Sequence, residues 1–397
     1  MEYTNQLVLF FISTPNLEVL NVRGPLPGIP TANFLYATSS ISRNLKSVTL
    51  SYITSAKAVI DVLPCFRKLQ ILELSYMDHH IPRSFLEECA SSMTSLQSLT
   101  MRFKYRGPRL TEDIGTSMPG GPSVPLTPIT FNLLSKLHLK GPPRNVENML
   151  NILHVPQLAT LDLLVKSRDG ENYPDIRLIT QRFLTLNEPY LKDGLRSLCL
   201  RGDAFPQMIV NLPDYLDSFR IFTKLDTLHV LNCWVSTSSL ANFLRENKPW
   251  SKLTFLQLLH PKKANENHLA DVLSIAALPL LADSFPNLRC LIITIDHPDQ
   301  DAMETMAVEN LRKAHSLESL YLDRLPRDWI HSKPTAVAFA SFLHRLFPGL
   351  KTAACGICGD HREWMMDVGE MLKKNKLDED SNFNVQNGNC NTTELCQ

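Results

Sequence analysis

The chain has no excess of charge of either sign. Lys plus Arg and Asp plus Glu number 40 each in 397 residues, a formal net charge of zero. General nucleic-acid or anionic-membrane binding would leave a basic surplus, so neither partner is expected. It has no long apolar run near its start. The longest there, Leu7-Val8-Leu9-Phe10-Phe11-Ile12, is six residues and follows Glu2 with no Lys or Arg. That is too short for a membrane span and lacks the charge of a signal peptide. No G-x-S-x-G, Walker-type G-K-[ST], H-E-x-x-H or G-x-G-x-x-G is present, so no catalytic residue and no cofactor are expected and the chain is read as a non-enzyme. A disulfide framework is missing too. The nine cysteines are odd in number and scattered. Cys199, Cys233, Cys290 and Cys355 sit beside or within candidate strands, Cys65 and Cys89 in helical segments. Buried thiols of an intracellular protein, cytoplasmic or nuclear, look like this.

What the chain has is a recurring L-x-x-L-x-L. It reads Leu17-Leu20-Val22, Leu45-Val48-Leu50, Leu69-Leu72-Leu74, Leu96-Leu99-Met101, Leu134-Leu137-Leu139 and Leu158-Leu161-Leu163. It continues as Leu195-Leu198-Leu200, Leu225-Leu228-Val230, Leu253-Leu256-Leu258, Leu288-Leu291-Ile293 and Leu317-Leu320-Leu322, with a degenerate Leu350-Ala353-Cys355. First leucines recur every 24 to 38 residues, around and slightly above the usual leucine-rich-repeat period. Each period holds one strand and one return segment that cannot bury its apolar side alone, so stacked neighbours must share a core. The spacing predicts an α/β leucine-rich-repeat solenoid, a horseshoe of about twelve irregular repeats, with parallel strands on the concave face and helices on the convex face. It spans residues 1–376.

Amphipathic returns are expected at Pro82–Met93, Asn145–Leu153, Asp175–Leu186, Leu212–Phe222, Ser236–Asn247, Asn267–Asp283, Asp301–Ala314 and Thr335–Phe347, from apolar residues at helical spacing. Proline after several of them, as in Phe285-Pro286-Asn287 and Phe347-Pro348-Gly349, marks the corner into the next strand, because proline cannot continue a helix. The Pro/Gly-rich stretch 105–130 reads as an exposed insertion. Residues 360–376 read as a closing helix, and 377–397 as a disordered tail.

Strand alternation buries motif positions four and six and turns three, five and seven to the concave side. This places Leu231, Phe255, Leu259, Ile292 and Tyr321 together as an apolar partner-binding cluster, with His229 and Gln257 among them. The alternative is that the insertion, the tail or a loop covers it. A second, basic group is Arg102, Lys136, Lys140 and Arg201, suited to an acidic peptide or a phosphate, or to no more than solvated charge. Cys355-Gly356-Ile357-Cys358 with His361 has the spacing of a partial zinc site. No second C-x-x-C completes it, so packing is the preferred reading and no metal is assigned.

The strand motifs, the long irregular returns and the eighth unit, Leu225-x-x-Leu228-x-Val230-x-x-Cys233 followed by Leu240 and Leu244, resemble the leucine-rich repeats of F-box proteins, particularly divergent fungal ones. The ninth motif position is Pro25, Ile53, Met77 and Lys104 in the first four units, with no asparagine ladder. That sets the chain apart from the ribonuclease-inhibitor and receptor types. The resemblance implies recognition of a protein substrate for a cullin-type ubiquitin ligase. The F-box itself is not seen before Leu17. A ligase-independent scaffold or a degenerate copy lacking its adaptor module is therefore carried beside that reading. A metalloprotein using Cys355, Cys358 and His361 is a more distant alternative.

Overall fold

The computed structural model describes residues 14–54, 56–77, 81–103, 127–165, 176–202, 216–231, 235–246, 250–260, 273–295, 315–322 and 333–355. They fall into two compact units, one within Met1–Phe205 and Asp214–Leu225, the other within Pro206–Pro213 and Asp226–Gln397.

The fold is α/β, built on parallel strands. In the first unit β1 (Val19–Pro27), β2 (Ser47–Thr54), β3 (Ile71–Met77), β4 (Ser98–Phe103), β6 (Lys136–Gly141), β8 (Thr160–Val165) and β9 (Ser197–Gly202) lie side by side in that order. Two-residue strands β5 (Ile129–Thr130) and β7 (Leu153–His154) pair with each other apart from that sheet. In the second unit the order is β10 (Thr227–Leu231), β11 (Phe255–Leu259), β12 (Cys290–Ile293), β13 (Ser319–Leu322) and β14 (Thr352–Cys355). The returns carry α1 (Gly28–Ile41), α2 (Ala56–Ile60), α3 (Arg83–Ser92), α4 (Pro143–Ile152), α5 (Ile176–Gly194), α6 (Thr237–Glu246), α7 (Ala277–Ser284) and α8 (Lys333–Leu346).

Pairing keeps the motif in step. Leu20 stands opposite Val48, Val48 opposite Leu72, Leu72 opposite Leu99, Leu99 opposite Leu137, Leu137 opposite Leu161 and Leu161 opposite Leu198. The second unit aligns Leu228, Leu256, Leu291, Leu320 and Ala353 in the same way. A slip of one residue would turn every leucine outward, so burial of one face sets this register. Each leucine in those rows is at most 4 % exposed.

A backbone hook repeats with the motif. The N–H groups of positions two and three both donate to the carbonyl of position two one repeat earlier. Lys46 and Ser47 donate to Glu18, Gln70 and Ile71 to Lys46, Gln97 and Ser98 to Gln70, Ser135 and Lys136 to Gln97. In the second unit Thr254 and Phe255 donate to Asp226, and Arg289 and Cys290 to Thr254. One carbonyl has two lone pairs, so it takes both donors and sets the start of the next strand.

Eight of the twelve repeats also carry an apolar residue larger than alanine three places before the first leucine. Its carbonyl accepts that leucine's N–H, as in Phe66 from Leu69, Phe131 from Leu134, Phe222 from Leu225, Trp250 from Leu253, Phe285 from Leu288 and Phe347 from Leu350. These rings are buried. In those eight repeats the working motif is therefore Φ-x-x-L-x-x-L-x-L, and the strand motif is only its second half.

Several returns match the expected helices to within a residue or two, including α3, α6 and α8. Others differ. α1 and α2 are not in the expected set: the apolar residues of α1 form no stripe on one side, and α2 has only five residues. α7 begins at Ala277 rather than Asn267, and the described residues 273–276 are not helical. α5 runs through Pro189 rather than stopping at Leu186. Of Leu212–Phe222, residues 212–215 lie outside the described residues, and the rest holds the short 3-10 turn Asp217–Phe219. The helices expected at 301–314 and 360–376 and the tail lie outside the described residues, as does the insertion up to residue 126. At its far end Ile129 is buried in β5, so Ile129–Thr130 belong to the packed repeat, while Thr127 and Pro128 are exposed.

A buried amide ties α5 to the strand edge. Asn187 has no exposed surface. Its Oδ1 accepts the Val155 N–H at 2.7 Å, and its Nδ2 donates to the carbonyls of Leu153 at 3.0 Å and Phe183 at 2.9 Å. Asn187→Ala strands a buried donor and should cost at least ~2 kcal/mol, read as a lower denaturation midpoint. An unchanged midpoint would show that water replaces the amide.

His315 does similar work at a corner of the second unit. Its Nε2–H donates to the Phe285 carbonyl at 3.0 Å, and its Nδ1 accepts the Leu317 N–H at 3.0 Å. Both nitrogens are satisfied only in the neutral ring. Burial pushes its pKa below 6.5, against the pull of the Phe285 carbonyl. The unfolded chain then binds the proton more readily, so stability rises with pH. The contribution is complete above 6.5 and is lost as pH falls from there toward the folded value. Melting of wild type against His315→Asn between pH 5 and 8 should show an extra downward slope in wild type on the acid side, at most about 1.4 kcal/mol per pH unit for one proton. Parallel curves would mean that His315 does not titrate between the two states.

Candidate functional site

The strand face carrying positions three, five and seven is the candidate site. In each unit the buried positions four and six hold the sheet to the core; positions three and five are half-buried or exposed, apart from buried Cys199, and position seven is mixed, with Ser51, Ser75, Leu164 and Thr294 buried.

In the second unit Thr227, Phe255, Cys290 and Ser319 form one row, and His229, Gln257, Ile292 and Tyr321 the next. Leu231 stands opposite Leu259 in a third. His229 Nδ1–H donates to Gln257 Oε1 at 2.6 Å, and the His229 ring lies 4.8 Å from the Phe255 ring. The sequence-expected residues thus share one face, but not as a single apolar cluster. A polar His–Gln pair sits between Phe255 on one side and Leu231 and Leu259 on the other, with Ile292 and Tyr321 continuing its row. Tyr321 is 38 % exposed. Thr294, at position seven of its repeat, is fully buried instead, because the chain has left the strand by then.

In the first unit the expected basic residues are partly neutralised. Arg102 Nη2 lies 3.2 Å from Glu73 Oε1, and Arg201 Nη2 lies 3.7 Å from Asp162 Oδ2. Lys140 stands in register between Arg102 and Leu164, and Lys136 between Ser98 and Thr160. The acids were the part missed. Glu73 and Asp162 sit at position five of their repeats, so writing out that column with its signs would have revealed them.

Asp162 is the electrostatic centre of this face. His138 Nδ1–H donates to its Oδ2 at 2.6 Å. Burial raises its pKa, but the hydrogen bond and charge of His138, with Arg201 and Cys199, outweigh that and hold it below the usual carboxylate value. Beside it, burial and the Asp162 charge push the Cys199 thiol up to about 11, although Arg201 Nε–H donates to its Sγ at 3.3 Å. The carboxylate stands between imidazole and thiol, and the thiol is protonated at neutral pH. A cysteine nucleophile needs the base beside the sulfur and a lowered pKa. What this order of groups does is cross-link three adjacent strands, giving the open face a fixed charge pattern.

Cys355 closes the last strand, its side chain outside the described residues, as are Cys358 and His361. Among the described residues no three His, Cys, Asp or Glu side chains group as metal ligands. Among the same residues no helix is long and apolar enough to cross a membrane. No family model matches the chain, and no curated protein matches it.

Proposed function

We propose that the chain is a leucine-rich-repeat solenoid whose strand face binds a protein partner. The observation that carries this is the repeated register. Side chains three and five align across neighbouring strands and, Cys199 apart, stay half-buried or exposed among the described residues, while four and six are buried in every repeat but the last. Parallel sheets are ordinarily covered on both faces. Here the second face keeps most of its described side chains at positions three and five half-buried or exposed, and its polar groups are ordered by pairs such as His229–Gln257 and His138–Asp162. An ordered, half-apolar face of this kind suits a protein surface, with Phe255 and Tyr321 as aromatic anchors. The resemblance to F-box repeats makes substrate recognition for a ubiquitin ligase the specific setting proposed, with a ligase-independent scaffold as its rival.

The test is affinity capture with the wild-type chain and with Phe255→Ala, followed by mass spectrometry. A partner retained by wild type and lost with the equally stable variant supports the reading. If every captured protein stays with both this variant and Tyr321→Ala, the second unit's face is not the site. Co-capture of ligase adaptor subunits separates the two settings.

A further inference from the structure

A cavity of about 310 Å³ lies at the corner where α1 ends and the second and third repeats begin. Arg43, Arg67 and Lys68 line it with Ser39, Ser42 and Cys65, and among the described residues no carboxylate is in the lining. Elsewhere along these corners cations meet acids: Lys46 with Glu18 at 2.8 Å, Lys224 with Asp193 at 4.0 Å, Lys351 with Glu318 at 3.3 Å. Here they do not. Among the described residues Lys68 finds only the neutral Asn44 side chain, at 3.1 Å, and Arg43 and Arg67 have no carboxylate within ion-pair reach. Three like charges around one small space repel each other, and an anion between them removes that repulsion.

We propose that this cavity binds a phosphate group, held by Arg43, Arg67 and Lys68. Near neutral pH a phosphate carries close to two negative charges and three acceptor oxygens. Two guanidinium forks can each grip two oxygens, with the ammonium as a third, point-like charge. The two serines do not supply the grip, since Ser39 Oγ–H donates to the Tyr36 carbonyl and Ser42 Oγ–H to the Thr14 carbonyl. The C-terminal end of α1 faces the same corner and opposes an anion with about half a unit of negative charge. Three full positive charges outweigh it, and one of its last carbonyls, that of Thr38, already accepts the Ser42 N–H at 2.7 Å. The volume exceeds a bare phosphate, so either free phosphate or a phosphate ester fits.

Cys65 reports occupancy, because it is exposed and lines the cavity. The experiment measures iodoacetamide alkylation of the full chain, peptide by peptide, against inorganic phosphate at constant ionic strength set with KCl. Alkylation of Cys65 should slow saturably, by the factor 1 + [L]/Kd, about tenfold at ten times Kd. Cys290, in the other unit, should be unaffected. Arg43→Gln with Arg67→Gln should melt like wild type, both side chains being exposed, and lose the protection. Should that pair fail to fold, Lys68→Gln is read in its place and should weaken protection. Phospho-L-serine protecting at lower concentration than phosphate identifies an ester ligand; equal or weaker protection identifies free phosphate. No slowing beyond the KCl control, or full protection in a folded charge variant, overturns the proposal.

Discussion

Phe285→Ala is expected to cost the second unit about 3–5 kcal/mol, the range for deleting a buried ring. The ring is buried at the α7-to-β12 corner, and its residue holds three things at once. The side chain fills the core ahead of Leu288. The carbonyl accepts the Leu288 N–H, and it also accepts Nε2–H of His315 from the following repeat. Alanine keeps the backbone bonds but leaves a cavity beneath two of them. In a stack of repeats each unit is stabilised mainly by its neighbours, so loosening one corner weakens the two interfaces it serves. Chemical denaturation followed by tryptophan fluorescence should show the loss, since Trp250 occupies the same place one repeat earlier and is itself buried. A loss below about 1 kcal/mol would mean that the corner ring is a passenger and that the strand leucines alone make the core.

This residue also marks where sequence reading stopped. Leucines at motif positions one, four and six stand out because they repeat as one residue type, and their alternation puts strands in the right places. The corner position is occupied by Phe66, Met93, Phe131, Val155, Phe222, Trp250, Phe285 and Phe347. Phenylalanine fills it in only five of the twelve repeats, Thr14, Ser42, Lys192 and Ala314 stand there in others, and the irregular spacing between repeats hides its phase unless the strands are aligned first. α1 was invisible for a related reason. Its sequence, GIPTANFLYATSSI, mixes small, apolar and hydroxyl residues around the whole circumference, so no stripe announces it. Asn187 was invisible because a buried amide looks like any surface amide until its three partners are placed.

The open face was legible in outline and not in grouping. Alternation assigned the right residues to it. It could not say that Asp162 draws His138 and Arg201 inward, or that Gln257 and His229 would pair, because such choices depend on which rotamers meet across strands. Position five of one repeat stands directly opposite position five of the next, yet side chains also reach diagonally, as the Phe255 ring does toward His229. A column of letters therefore overstates how continuous the apolar patch is. It also overstates the basic group, in which Arg102 and Arg201 already have acids.

Phe255→Ala and Leu256→Ala should give opposite phenotypes from adjacent positions. Leu256 is 2 % exposed and aligned with Leu228 and Leu291, so its truncation should remove roughly 2–5 kcal/mol of stability. Partner binding should then fall only insofar as the protein unfolds. Phe255 is half-buried on the other side of the same strand, against a polar His–Gln pair and not in the core. Its truncation should cost under ~1 kcal/mol of stability, from the lost contact with the His229 ring. If it anchors the partner, binding should weaken by at least ~2 kcal/mol, about 30-fold in Kd. Thermal melts beside a binding titration with whatever partner affinity capture returns give both numbers for each variant. Equal melting losses from the two variants would mean that the strand face assigned as open is packed in solution, and the proposed surface would go with it. If stable Phe255→Ala and Tyr321→Ala chains both bind the partner at full strength, the contact would move to the first unit, where Lys136 and Lys140 are the two of the four expected basic residues for which the described residues show no carboxylate. Lys136→Glu would then be the variant that loses the partner.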